Sequence, residues 1–156
     1  MNPEEHLYIL ALKQCKNIGN INLKKLIKNI GSAKKVWKST PQSLLAISGI
    51  GKNSIQNIGN QEFLNFAEKE LKFCEKHDIK IIHQDEESYP KHLLNCDDAP
   101  MILFYKGNLN NELNPVSIVG TRKLTAYGKH FIQDLTQELS GSKVCTISGL
   151  ALGADS

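Results

Sequence analysis

This chain of 156 residues is short of the features that mark membrane, secreted and metal-binding proteins. No apolar run approaches the ~20 residues a membrane-spanning helix needs. The opening Met1-Asn2-Pro3-Glu4-Glu5-His6 is acidic and lacks the basic-then-apolar order of a secretion signal. The four cysteines (Cys15, Cys74, Cys96 and Cys145) are scattered with no C-x-x-C pair. That pattern argues against zinc or a redox dithiol, and for reduced thiols in a cytoplasmic protein. None of His6, His77, His83, His92 and His130 stands with Cys, Asp or Glu at metal-ligand spacing on one helix face, so they read as surface or packing residues. No nucleophile–base pair points to an enzyme, and no cofactor is implied. With 40% apolar and 22% charged residues, disordered and collagen-like classes are excluded as well.

What is present is unevenly charged. Residues 1–60 hold nine lysines against Glu4 and Glu5, a balance of +7. Residues 61–115 carry −5, with six lysines against eleven acids, and the remainder carries +1. A basic first segment on a more acidic body fits a phosphate-rich partner; solvated lysines on small helices are the plainer alternative.

Apolar spacing predicts helices over 5–14, from Leu23 to a stop at Gly31, over 33–37, from a Ser39-Thr40-Pro41 cap through Ala46, and over 54–58. Within them, Leu44-Leu45-Ala46-Ile47-Ser48-Gly49-Ile50-Gly51-Lys52-Asn53-Ser54-Ile55 resembles a helix-hairpin-helix motif. Gly49 and Gly51 permit a tight hairpin that brings backbone N–H groups to a phosphate, with Lys52 beside them and Ile50 plugging the helix pair. Lys16-Asn17-Ile18-Gly19-Asn20-Ile21 looks like a degenerate first copy with one glycine. Such hairpins grip nucleic-acid backbone without reading sequence, or simply pack helices together. Trp37 and Phe63 read as core residues.

An amphipathic helix over 62–77 follows, then strands over 79–83 and between Pro100 and Gly107, with a turn and helix over 89–94. Two apolar runs that end in glycine come next. Val116-Ser117-Ile118-Val119-Gly120-Thr121-Arg122 and Val144-Cys145-Thr146-Ile147-Ser148-Gly149-Leu150-Ala151-Leu152-Gly153-Ala154-Asp155 flank a helix over 127–139. Strand, helix and strand make a βαβ unit, which places ligands at the carboxyl ends of its strands. The predicted class is therefore α/β: an all-helical part over 1–60, a connecting helix over 61–78, and a partial, Rossmann-like, mostly parallel part over 79–156.

The dinucleotide fingerprint is missing, since no second glycine follows Gly120 at the required spacing and no acid ends the second strand. An oxyanion nest remains. Gly120 allows close approach, Thr121 offers a hydroxyl, and Arg122 a permanently charged fork suited to phosphate. Lys123, Tyr127 and Gly128 continue the turn into a helix whose start is partially positive. Ser148, Gly149, Ala151 and Gly153 line the second wall with backbone amides. Arg122 in a surface ion pair is the competing reading. Tyr127 follows the loop closely enough to stack a base, but packing at the helix start is the expectation.

Four linked motifs, in order and spacing, resemble the DNA-processing protein A family (DprA, also called Smf). They are Tyr89-Pro90-x-x-Leu93; Pro100-x-x-Leu103-Phe104-Tyr105-x-Gly107-Asn108-Leu109; Ile118-Val119-Gly120-Thr121-Arg122 with Tyr127-Gly128; and Ser148-Gly149-Leu150-Ala151-x-Gly153-x-Asp155. The hairpin-bearing part is similar to the SAM-like domain that precedes the family's Rossmann-like core. The resemblance implies a protein that binds single-stranded DNA, protects incoming strands in natural transformation and loads a RecA-type recombinase. It implies no catalytic reaction, no membrane, and a homodimer at full length. The family's phosphate-contacting arginine falls on Arg122, and Asp155 falls at a cap of the following helix. The resemblance covers only the front of the family pattern, so a fragment with an uncovered apolar face and a missing recombinase surface is expected. A phosphoribohydrolase-type nucleotide enzyme is the rival, although its P-G-G-x-G-T run is absent. A structural adaptor that uses the hairpins for protein contact is a third reading.

Overall fold

The computed structural model describes residues 3–155 and divides into two compact units, Met1–Leu109 and Asn110–Ser156. In the first, α1 (Pro3–Gln14) is the central element. Tyr8, Ile9, Leu10, Ala11 and Leu12 are all buried, so this helix is enclosed on every side rather than along one apolar face. It packs on α6 (Gln61–Lys76), α3 (Ala33–Lys38) and α2 (Asn20–Ile30). Local signals set the ends of these helices. Gly31 closes α2 at φ +106° and returns its N–H to the Ile27 carbonyl at 2.7 Å. The Ser32 hydroxyl caps α3 by accepting from the Lys35 N–H at 3.1 Å. Thr40 caps α4 (Pro41–Leu45), with Pro41 in its first turn, and the Asn60 side chain caps α6. Trp37 sits in the core and Phe63 packs against it.

The same unit holds an antiparallel pair, β1 (Lys80–His83) and β2 (Ile102–Tyr105), with Lys80 opposite Tyr105 and His83 opposite Ile102. Between them Lys91–Asn95 forms a single 3-10 turn in place of a full helix, and the Tyr89 hydroxyl donates to the Pro100 carbonyl at 2.6 Å. With no crossover helix available, these strands pair antiparallel. The mostly parallel expectation therefore holds only for the βαβ unit.

That unit makes up the second body. β3 (Asn114–Ser117) and β4 (Val144–Ile147) are parallel, joined by α7 (Ala126–Leu139). β3 begins two residues before the expected start at Val116 and includes Pro115. The Asn114 and Ile118 N–H groups donate to the Lys143 and Ile147 carbonyls at 2.8 and 2.9 Å, so by alternation Pro115, which has no N–H, points away from the ladder. Val116, Val119, Ile147, Leu150 and Leu152 are exposed despite their apolar sequence, and Ala154 is the one buried hydrophobic residue of this unit among the described residues. The helix expected to open at Ser156 lies outside the described residues.

Candidate nucleic-acid interface

In the second unit, the loops after β3 and β4 interlock. The Ala154 N–H donates to the Thr121 carbonyl at 3.2 Å. A methyl built on Gly120 would lie 2.5 Å from the Ala154 Cβ. Gly153 has φ +102°, and a Cβ there would come within 2.3 Å of the Thr121 oxygen and 2.7 Å of the Arg122 Cα. Only glycine satisfies both the left-handed backbone and that approach. The second loop is tied internally as well. The Ser148 hydroxyl donates to the Asp155 carbonyl at 2.8 Å, and the Asp155 carboxylate accepts from the Gly149 N–H at 3.2 Å. Asp155 thus pins the loop after its own strand, while the helix it was expected to cap lies outside the described residues. Leu150, at φ +52°, is held in the left-handed region, with its N–H 3.3 Å from the Ser148 hydroxyl.

The first loop turns tightly, since the Thr121 hydroxyl accepts from the Lys123 N–H at 3.1 Å. Thr125 then caps α7 by accepting from the Gly128 N–H at 3.1 Å, so the positive end of a 14-residue helix stands next to the loop. Thr121, Arg122 and Lys123 are exposed, and Arg122 makes no ion pair among the described residues. The structure therefore brings Gly120, Thr121, Arg122, Lys123, Ser148, Gly149, Ala151 and Gly153 into one pair of adjoining loops, with Gly128 in the first turn of α7 beside them. Tyr127 departs from the expected packing: it is 79% exposed and stacks on Phe131, centroids 6.4 Å apart.

The two hairpins of the first unit are closer copies than their sequences indicate. In the second, Gly49 is left-handed (φ +79°), Ile50 is buried and Gly51 is the extended N-cap of α5 (Lys52–Ile55). In the first, Asn17 is left-handed (φ 66°), Ile18 is buried and Gly19 is the extended N-cap of α2. The Ile50 N–H bonds to the Ile47 carbonyl at 3.1 Å, and the Ile18 N–H to the Cys15 carbonyl at 3.1 Å. The first copy is therefore degenerate in sequence but not in backbone, because asparagine tolerates the left-handed region that glycine occupies in the second. Their surroundings differ. Asn20 and Lys24 of the first hairpin donate to the Asp98 and Asp97 carbonyls at 2.8 and 3.2 Å. The second has the Lys25 ammonium beside Gly49, within 2.9 Å of where a Cβ would stand. Lys25 was not legible as part of that hairpin, since it comes from α2 and no local spacing links the two.

A Rossmann-like βαβ unit carrying a glycine-built strand-end site, with a helical hairpin-bearing unit before it, is the class these features define. A family profile described as DNA recombination-mediator protein A matches residues 80–156. Protein Smf of Synechocystis sp. is 32% identical over 99% of this chain and 40% of its own length. DNA processing protein DprA of Bacillus subtilis is 38% identical over 49% of this chain and 27% of its own length. The X-ray structure of DNA processing protein A (DprA) from Streptococcus pneumoniae superposes with a TM-score of 0.65 at 25% identity, covering 96% of this chain and 50% of that one. The chain belongs to the DprA/Smf family. It spans 40% or less of the length of these two curated relatives.

Proposed function

We propose that this chain is a single-stranded DNA-binding part of a DNA-processing protein that acts in recombination and natural transformation. One observation carries the reading: the interlocked loops after β3 and β4 hold Thr121, Arg122 and Lys123 exposed beside the start of α7. A guanidinium fork, a hydroxyl and a helix start together suit a phosphodiester and read no base edge, which fits binding without sequence preference. In this reading Tyr127, exposed beside this loop, stacks a base. Gly49, Gly51 and Lys52, now with Lys25, form a secondary backbone contact. In this reading the chain is a binding protein of the cytoplasm rather than an enzyme. Loading of a RecA-type recombinase and homodimerisation belong to the whole protein. Function divides into the hairpin part (1–60), the connecting helix (61–78) and the strand-end part (79–156).

Fluorescence anisotropy of a labelled thymine oligonucleotide across a salt series tests this. Arg122→Ala is expected to weaken binding about tenfold, the loss of one charge-assisted contact, and to lower the salt slope by about one. Unchanged affinity and slope would remove the strand-end site. A loss seen only with Lys52→Ala would move the site to the hairpin.

A further inference from the structure

The first unit contains a cavity of about 460 Å³ that the strand-end reading does not use. It opens between α1, α2 and the end of β1. Part of its lining is apolar: Ile9 and Met101 are core residues and Ile27 packs against them. The polar part carries both signs. Lys24 and Lys28 stand one turn apart on the same side of α2, while Glu5 and Asp85 supply carboxylates.

One carboxylate is already engaged, since Glu5 accepts from the Ala33 N–H. The Asp85 carboxylate, 3.4 Å from His83 Nδ1, is largely exposed to solvent. Lys28 makes no ion pair among the described residues. Lys24 gives one hydrogen to the Asp97 carbonyl and keeps two. The unspent charged donors of the lining are therefore the two ammonium groups.

His83 adds an independent observation. The side chain lies in this lining and is 1% exposed. Its Nδ1 accepts from the Asp85 N–H at 3.2 Å, so the proton of the neutral ring is on Nε2. That Nε2 is buried and has no partner among the described residues. A buried donor of this kind is costly unless an acceptor reaches it.

We propose that this cavity binds a nucleoside monophosphate, with its phosphate on Lys24 and Lys28 and its base against Ile27 and Met101. His83 forms part of the wall, with its Nε2 buried beneath the cavity surface. The volume lies toward the small end of ligand sites, which run from about 300 to 1,000 Å³, and suits one nucleotide rather than a run of them. Glu5 and Asp85 disfavour a bare polyanion and can accept from an exocyclic amine. A free nucleotide and the 5′-phosphorylated end of a strand offer the same chemistry.

The test is a 15N-edited NMR titration of the full chain carrying Arg122→Ala, so that the other site does not interfere. The probes are deoxyadenosine monophosphate, deoxyadenosine, inorganic phosphate, and one oligonucleotide with and without a 5′-phosphate. Saturable shifts of the Gly31, Ser32 and Gln84 amides by the monophosphate are expected, weakened about tenfold by Lys28→Gln and weaker still for deoxyadenosine or phosphate alone. The same shifts with only the 5′-phosphorylated oligonucleotide, or with only the free nucleotide, would identify the source and support the site. No shift at those amides, or equal titration of wild-type Lys28 and Lys28→Gln, would overturn it.

Discussion

Replacing Gly120 by alanine puts a methyl 2.5 Å from the Ala154 Cβ, well inside ordinary carbon–carbon contact. Gly120 is not in the left-handed region, so the whole effect is steric. Overlap of this kind costs about 1–3 kcal/mol when the neighbour cannot turn away, and Ala154 has no rotamer to turn. The loops after β3 and β4 must separate, breaking the Ala154 N–H bond to the Thr121 carbonyl. If DNA needs the interlocked form, affinity falls by the fraction of molecules that keep it, about 5- to 150-fold. Ala154→Gly removes the methyl that is struck and costs about 0.5–1 kcal/mol in backbone freedom. The double variant Gly120→Ala/Ala154→Gly should therefore bind better than Gly120→Ala alone. Gly153→Ala meets backbone atoms and has no such rescue. The assay is oligonucleotide anisotropy for all four proteins, with hydrogen exchange at the Ala154 amide as a direct report on the interlock. A double variant as defective as Gly120→Ala would refute the steric account. Normal binding by Gly153→Ala would show that the interlock is not needed for DNA.

Three further outcomes follow. Asn17→Ala should destabilise it by about 1–2 kcal/mol in urea unfolding, while Asn17→Gly is tolerated, because only the left-handed backbone of the first hairpin is at stake. Thiol labelling at pH 8 should modify the exposed Cys96 and Cys145 and spare Cys15 and Cys74 until the protein unfolds. Burial raises both buried thiols, Cys15 to about 11. Burial also lowers the pKa of His6 and His83 below the usual histidine value of 6.5. The unfolded chain then binds more protons than the folded one below pH 6.5. Stability is complete above that pH and falls as the pH drops toward the folded values, by up to about 1.4 kcal/mol per unit for each histidine. Urea unfolding between pH 7 and pH 5 should show this slope, and His6→Gln should flatten it; a slope of opposite sign would contradict neutral burial.

Sequence alone determined the elements and the loops that bear the chemistry. The ends at Gly31 and Thr40-Pro41 were legible, since capping is satisfied within a few residues and leaves a local mark, while the Ser32 and Asn60 caps came from the structure. The glycine-terminated apolar runs announced the βαβ unit, and with it the Gly120-Thr121-Arg122 turn, because that backbone route admits few other residues. Tertiary structure decided what depends on distant partners. It made β1 and β2 antiparallel, enclosed α1 on all sides, and left Tyr127 in solvent where local packing was expected. It set Asp155 against Gly149, Gly153 against Thr121 and Lys25 beside Gly49, contacts whose spacing carries no periodic signal. It also showed the first hairpin to be a conformational copy of the second, hidden because asparagine and glycine reach the same left-handed backbone by different chemistry. A capped helix or a strand ending in glycine is settled by neighbours along the chain, but burial and loop interlock are settled only when remote segments meet.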